Sequence, residues 1–90
     1  MSARKVITAI PGPKSESIIK RRSDAVSKAL GMALPAVIED AKGAILIDVD
    51  GNHFIDLGAG IGVVNVGNSA PHVVENVSKQ VAAFTHTCFM

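Results

Sequence analysis

The chain has 90 residues, 48% of them hydrophobic and 19% charged, and nine basic against eight acidic side chains give a formal net charge of +1. A chain of this length supports one small domain with a marginal core, and an apolar fraction this high argues against disorder. Three aromatics, all Phe, and a nearly neutral balance argue against stacking platforms for single strands and against field-driven capture of DNA, RNA or an anionic membrane.

Residues 1–14 read as an extended tail. The apolar run Val6 to Ile10 is too short for a signal-peptide core, and Pro11 and Pro13 break any amphipathic transit helix. No apolar run approaches the ~20 residues of a membrane span, so a cytoplasmic protein is expected. Ser15 is placed to cap a helix through its hydroxyl, with Glu16 in the first turn. Ile19, Val26 and Leu30 recur at helical spacing and Gly31 suits a C-terminal cap, so the pattern predicts a helix over 15–30. Lys20, Arg21 and Arg22 read as a solvated helix face; without aromatics or a second basic patch they make a weak nucleic-acid site.

Beyond Pro35 the period changes. The runs "AVIEDAKG", "AILIDVD" and "HFIDL" are rich in β-branched residues, and Asp50-Gly51-Asn52 between the last two is a hairpin signal. A three-stranded antiparallel meander over 36–57 follows, then a glycine-rich loop over 58–70. Pro71 sits well at a first helical position and opens a predicted helix over 71–85. Val73, Val74, Val77, Val81 and Phe84 mark one face of it, and Glu75 and Lys79 form an i,i+4 pair on the other. The fold class is α+β. The single Cys88 allows no internal disulfide. With His86 it offers too few ligands for structural zinc, and a packing role is the expectation for it.

The loop "LGAGIGVVNVGN" tests poorly as a phosphate cradle. A Gly-x-Gly-x-x-Gly fingerprint begun at Gly58 ends on Val63, and one begun at Gly60 ends on Asn65. The Gly-Lys-Ser/Thr of a P-loop is absent, and no helix opens directly after the glycines. Glycines still permit close backbone approach. Ile61, Val63, Val64 and Val66 are therefore either packing residues or a ligand wall, and the residues alone leave both open.

The stretch from Ile45 to Phe89 resembles the N-terminal part of class III pyridoxal-phosphate aminotransferases. The acid–acid–glycine hairpin (Asp48, Asp50-Gly51), the strand end Ile55-Asp56-Leu57, the glycine loop and the proline-opened helix stand in the family's order. "AIPGPKS" and "RRSDAVSKALGMALP" are similar to the N-terminal arm of actinobacterial-type members. One departure is Gly67-Asn68-Ser69-Ala70-Pro71 where the family often has Gly-His-x-His-Pro.

The resemblance implies that residues 15–90 are part of the small domain of a fold-type I enzyme, working as a homo-oligomer on an amino acid and a 2-oxo acid. It places Ile61 on the substrate side of the cofactor, where ornithine-specific members have a tyrosine. That points to 4-aminobutyrate or a similar ω-amino acid. None of Lys5, Lys14, Lys20, Lys28, Lys42 and Lys79 stands in the family's cofactor-lysine context, which lies downstream, as do its acid partner and substrate arginine. Catalytic, cofactor-binding and metal residues are thus expected to be absent, and Asp48, Asp50 and Asp56 to be structural. The expectation is an inactive fragment that binds no pyridoxal phosphate and is poorly ordered or self-associating alone. The alternative is a self-standing α+β binding or assembly module.

Overall fold

The computed structural model describes residues 3–89. Helix α1 (Pro13–Ala25) leads to an antiparallel sheet of β1 (Ile38–Lys42), β2 (Ile45–Asp48) and β3 (His53–Ile55), in that spatial order. A single turn, α2 (Ala59–Gly62), and helix α3 (Pro71–Ala83) follow. The meander expected over 36–57 is this sheet. Ile45 faces Ile55 and Leu46 faces Phe54 across β2 and β3, while Ile38 and Asp40 bracket an irregularity in the β1–β2 register.

The α1 boundaries differ from the expected 15–30 at both ends. Gly12 is the N-cap and Pro13 the first helical residue, a position proline favours because its missing N–H would be unpaired there. Ser15 therefore lies inside the first turn and caps nothing; it is buried, and its hydroxyl oxygen accepts Val37 N–H at 3.4 Å. The cap comes from the hairpin instead. The two carboxylate oxygens of Asp50 accept the N–H groups of Lys14 at 2.7 Å and Ser15 at 2.9 Å. At the other end the helix stops at Ala25, and Val26 is extended. The Ser23 hydroxyl donates back to Lys20 C=O, and Arg22 reaches forward to the carbonyls of Leu30 and Gly31, tying 26–31 into irregular turns. Gly31 caps no helix, and Val26 and Leu30 stay exposed rather than completing a stripe with Ile19.

The N-terminal arm is tied to the sheet. Lys5 and His53 exchange backbone hydrogen bonds at 3.1 and 2.6 Å beside β3. Asn52, wholly buried, accepts Ile7 N–H at 2.7 Å and Thr8 N–H at 3.1 Å through its side-chain oxygen. Its amide nitrogen donates to Thr8 Oγ1 and to Asp48 Oδ2, both at 2.8 Å. Asp48 Oδ1 in turn accepts Asn52 N–H at 2.8 Å and Asp50 N–H at 3.0 Å. Arm, hairpin and α1 thus meet in one polar latch. A group buried this way is tolerated only when its donors and acceptors are matched, and among the described residues no buried side-chain polar atom lacks a partner.

Apolar packing is sparse by comparison. Among the described residues, the buried apolar side chains are Ala36 and Ala70. The accessible surface is 7123 Å², against roughly 5,000 Å² for a compact chain of this mass. The radius of gyration is 16.5 Å, against ~12 Å for a compact domain of this length. Helix α3 forms as the sequence indicates, with Pro71 first and Glu75–Lys79 paired at 2.6 Å, but ends at Ala83 with Phe84 extended. Its face of Val73, Val74, Val77, Val81 and Phe84 is uncovered.

Candidate functional site

Among the described residues, the one run of consecutive positive φ values falls within 56–68. Asp56 starts that segment: its N–H donates to Ala44 C=O at 2.8 Å, and its Oδ1 accepts Gly58 N–H at 3.1 Å and Ala59 N–H at 2.8 Å. This fixes the exit from β3. Ala59, Gly60, Ile61 and Gly62 then take φ of 47°, 59°, 58° and 76°. Gly62 N–H to Gly58 C=O and Val63 N–H to Ala59 C=O close the turn at 3.0 and 2.9 Å. The turn is left-handed. The glycines accept this freely, whereas Ala59 and the β-branched Ile61 cost about 1–2 kcal/mol each.

Beyond this turn the next helix among the described residues opens at Pro71. A left-handed turn was not among the expectations for 58–70. The signal was present as glycines alternating with single L-residues, a spacing that keeps strained residues from being adjacent to other β-branched ones until Val63.

The loop's far end returns to the sheet. Gly43 and Asn68 exchange backbone hydrogen bonds at 2.9 and 2.8 Å, and Asn68 Nδ2 also donates to Gly43 C=O at 3.1 Å. A Cβ on Gly67 would sit 3.1 Å from Gly43 Cα, so this approach needs glycine. Between the two anchors lies an open depression of about 170 Å³ lined by Gly43, Ala44, Asp56, Ala59, Val64, Asn65, Gly67 and Asn68.

Ile61 is 92% exposed, presented outward on the turn, and does not line that depression. Val63 and Val66 are exposed beside it, and Val64 is partly covered. Asp48, Asp50 and Asp56 each accept backbone N–H groups, the structural part foreseen for them. For Asp50, desolvation pushes the carboxyl up. The hydrogen bonds from the Ser15 hydroxyl, Ser15 N–H and Lys14 N–H, with the Lys14 charge, outweigh that and hold it below its ordinary value. His86 and Cys88 are exposed, which corrects the packing role expected of Cys88. No cluster of three or more His, Cys, Asp or Glu suited to a metal exists among the described residues. None of the described helices is long and apolar enough to cross a membrane.

The arrangement offers surface and shape but no reacting group. All six lysines are exposed, and neither lysine nor arginine lines the depression. These residues do not fit the needs of pyridoxal phosphate, which are a Schiff-base lysine and donors for the phosphate.

The sequence pattern described as Aminotransferase class-III matches residues 26–90, and the chain belongs to that family. Full-length enzymes of the class use pyridoxal phosphate. The 4-aminobutyrate aminotransferase of Mycobacterium tuberculosis is 53% identical over 88 residues, covering 98% of this chain and 20% of the relative. The 5-aminovalerate aminotransferase DavT of Pseudomonas aeruginosa is 40% identical over 75 residues, covering 83% of this chain and 18% of the relative. Among solved structures, acetylornithine aminotransferase from Elizabethkingia anophelis superposes with a TM-score of 0.70 at 26% identity, over 81% of this chain and 21% of that one. The chain therefore spans about a fifth of the length of the relatives it matches.

Proposed function

We propose that the chain is the N-terminal portion of a 4-aminobutyrate–2-oxoglutarate transaminase, and that it is inactive by itself. In the complete enzyme, amino-group transfer from an ω-amino acid to a 2-oxo acid would use pyridoxal phosphate held by residues outside this chain. The observation that carries the substrate is the 53% identity, over nearly the whole chain, to a 4-aminobutyrate aminotransferase.

Ile61 is the residue we assign to the substrate side. Its exposed position on a turn costing a few kcal/mol supports the reading, since such strain gathers where a side chain must be aimed at a ligand. The uncovered α3 face supports the rest. The chain exposes roughly 2,000 Å² beyond a compact domain, the scale of an obligate interface, which the remainder of a homo-oligomeric, cytoplasmic enzyme would cover. This favours a portion of an enzyme over a self-standing module.

A chimera tests the proposal: the M. tuberculosis relative with its matching 88 residues replaced by this chain's. The expected result is a cofactor-loaded enzyme that prefers 4-aminobutyrate to ornithine as amino donor. A folded, loaded chimera that is inert, or that prefers ornithine, would overturn it.

A further inference from the structure

The latch that caps α1 encloses the one Asp-Gly step in the sequence, Asp50-Gly51. An aspartate followed by glycine is chemically vulnerable, because no side chain on the next residue hinders its nitrogen. The Gly51 nitrogen attacks Asp50 Cγ; the amide proton and the hydroxyl of the neutral carboxyl leave as water, closing a cyclic imide. Water then opens the ring at the Asp50 main-chain carbonyl, so that the backbone runs through Cγ and a free carboxylate remains on Cα. One water leaves and one returns, without change of mass.

Every atom this reaction needs is restrained in the folded latch. Gly51 N–H is donated to Asp48 C=O at 3.0 Å. Both Asp50 carboxylate oxygens are held by Lys14 and Ser15 N–H groups. Gly12 closes against the same carboxyl, so tightly that a Cβ there would overlap Asp50 and lie 2.7 Å from Thr8 Oγ1.

We infer that Asp50-Gly51 is a latent isoaspartate site, shut while α1 and the N-terminal arm are docked and reactive when they release. The modification is one-way in its effect. The product's carboxylate hangs from Cα rather than from Cβ, so it no longer reaches the two N–H groups, and α1 loses its cap.

The test incubates the purified 90-residue chain at neutral pH, with and without urea, and follows isoaspartate at position 50. An endoprotease that cuts before aspartate loses the Val49–Asp50 cut when isoaspartate forms, and isoaspartyl methyltransferase labels the product. Conversion should be slower in buffer than in urea by on the order of a hundredfold or more, matching the open fraction read from exchange of the Ser15 amide. Gly12→Ala should bring the rate in buffer toward that in urea. Equal rates in buffer and urea would overturn the shutting; no conversion in urea would overturn the site. A buffer rate unrelated to Ser15 opening would overturn the link between them, whatever Gly12→Ala does to folding.

Discussion

Removing the Asn52 side chain should release the N-terminal arm. In Asn52→Ala the buried hydrogen bond to the Asp48 carboxylate disappears, a type worth about 1.5–3 kcal/mol. The Ile7 and Thr8 N–H groups lose their acceptor as well, and being only part-buried they add about 0.5–1 kcal/mol each. The sum is about 2.5–5 kcal/mol, or roughly a hundredfold to a few thousandfold in an opening equilibrium. Residue-resolved hydrogen exchange on the 90-residue chain reads this directly, with Ile7 and Thr8 falling to unprotected rates. Asn52→Asp separates charge from shape. It sets a carboxylate oxygen 2.8 Å from Asp48 Oδ2, where like charges repel by about 6 kcal/mol at an effective dielectric of ~20. A shared proton relieves that, so protection in Asn52→Asp should recover in mildly acidic buffer, while Asn52→Ala should not recover. Unchanged protection of Ile7 and Thr8 in Asn52→Ala would refute the latch.

Three other outcomes are expected. In the chimera, Ile61→Tyr should lower kcat/KM for 4-aminobutyrate by a factor equivalent to ~1–3 kcal/mol, with cofactor content unchanged; wild-type kinetics would remove Ile61 from the substrate side. Acidification should undock α1: the Asp50 carboxyl is held below its ordinary value in the fold, so its contribution is full above the unfolded pKa of about 4 and is lost as pH falls through the lower folded value. NMR shifts of Lys14 and Ser15 follow this, and Asp50→Asn should abolish the transition. Mixed with pyridoxal phosphate, the purified chain should give only weak, non-saturating Schiff-base absorbance from its exposed lysines; a stoichiometric complex that survives dialysis would contradict the proposed function.

The elements that could be read from the sequence are those fixed by near neighbours. Asp50-Gly51-Asn52 marked the hairpin because the turn needs a positive φ, and Gly51 has φ of 84°. Pro71 marked the start of α3, and Glu75 with Lys79 its solvent face. What escaped the reading is long-range. Asp50 caps a helix 35 residues earlier, so Ser15, the obvious local candidate, does not. By pattern Asn52 is a turn residue, yet in the fold it is the hub of the arm, 45 residues from Ile7. The apolar stripe drawn through Ile19, Val26 and Leu30 assumed one straight helix, whereas Arg22 draws the chain back on itself after Ala25. At the candidate site the glycine spacing was legible but its handedness was not, since pattern alone does not reveal that Ile61 sits at positive φ.

Under the proposed function, this chain holds a polar latch of its own, while its loop and α3 await the rest of an aminotransferase subunit. Residue-resolved hydrogen exchange, run on the isolated chain and on the chimera, measures both halves at once. In the isolated chain, weak protection is expected across 58–85 and stronger protection across 44–57, with protection over 58–85 gained in the chimera. Strong, uniform protection in an isolated monomer would contradict the claim and make the self-standing module the better description.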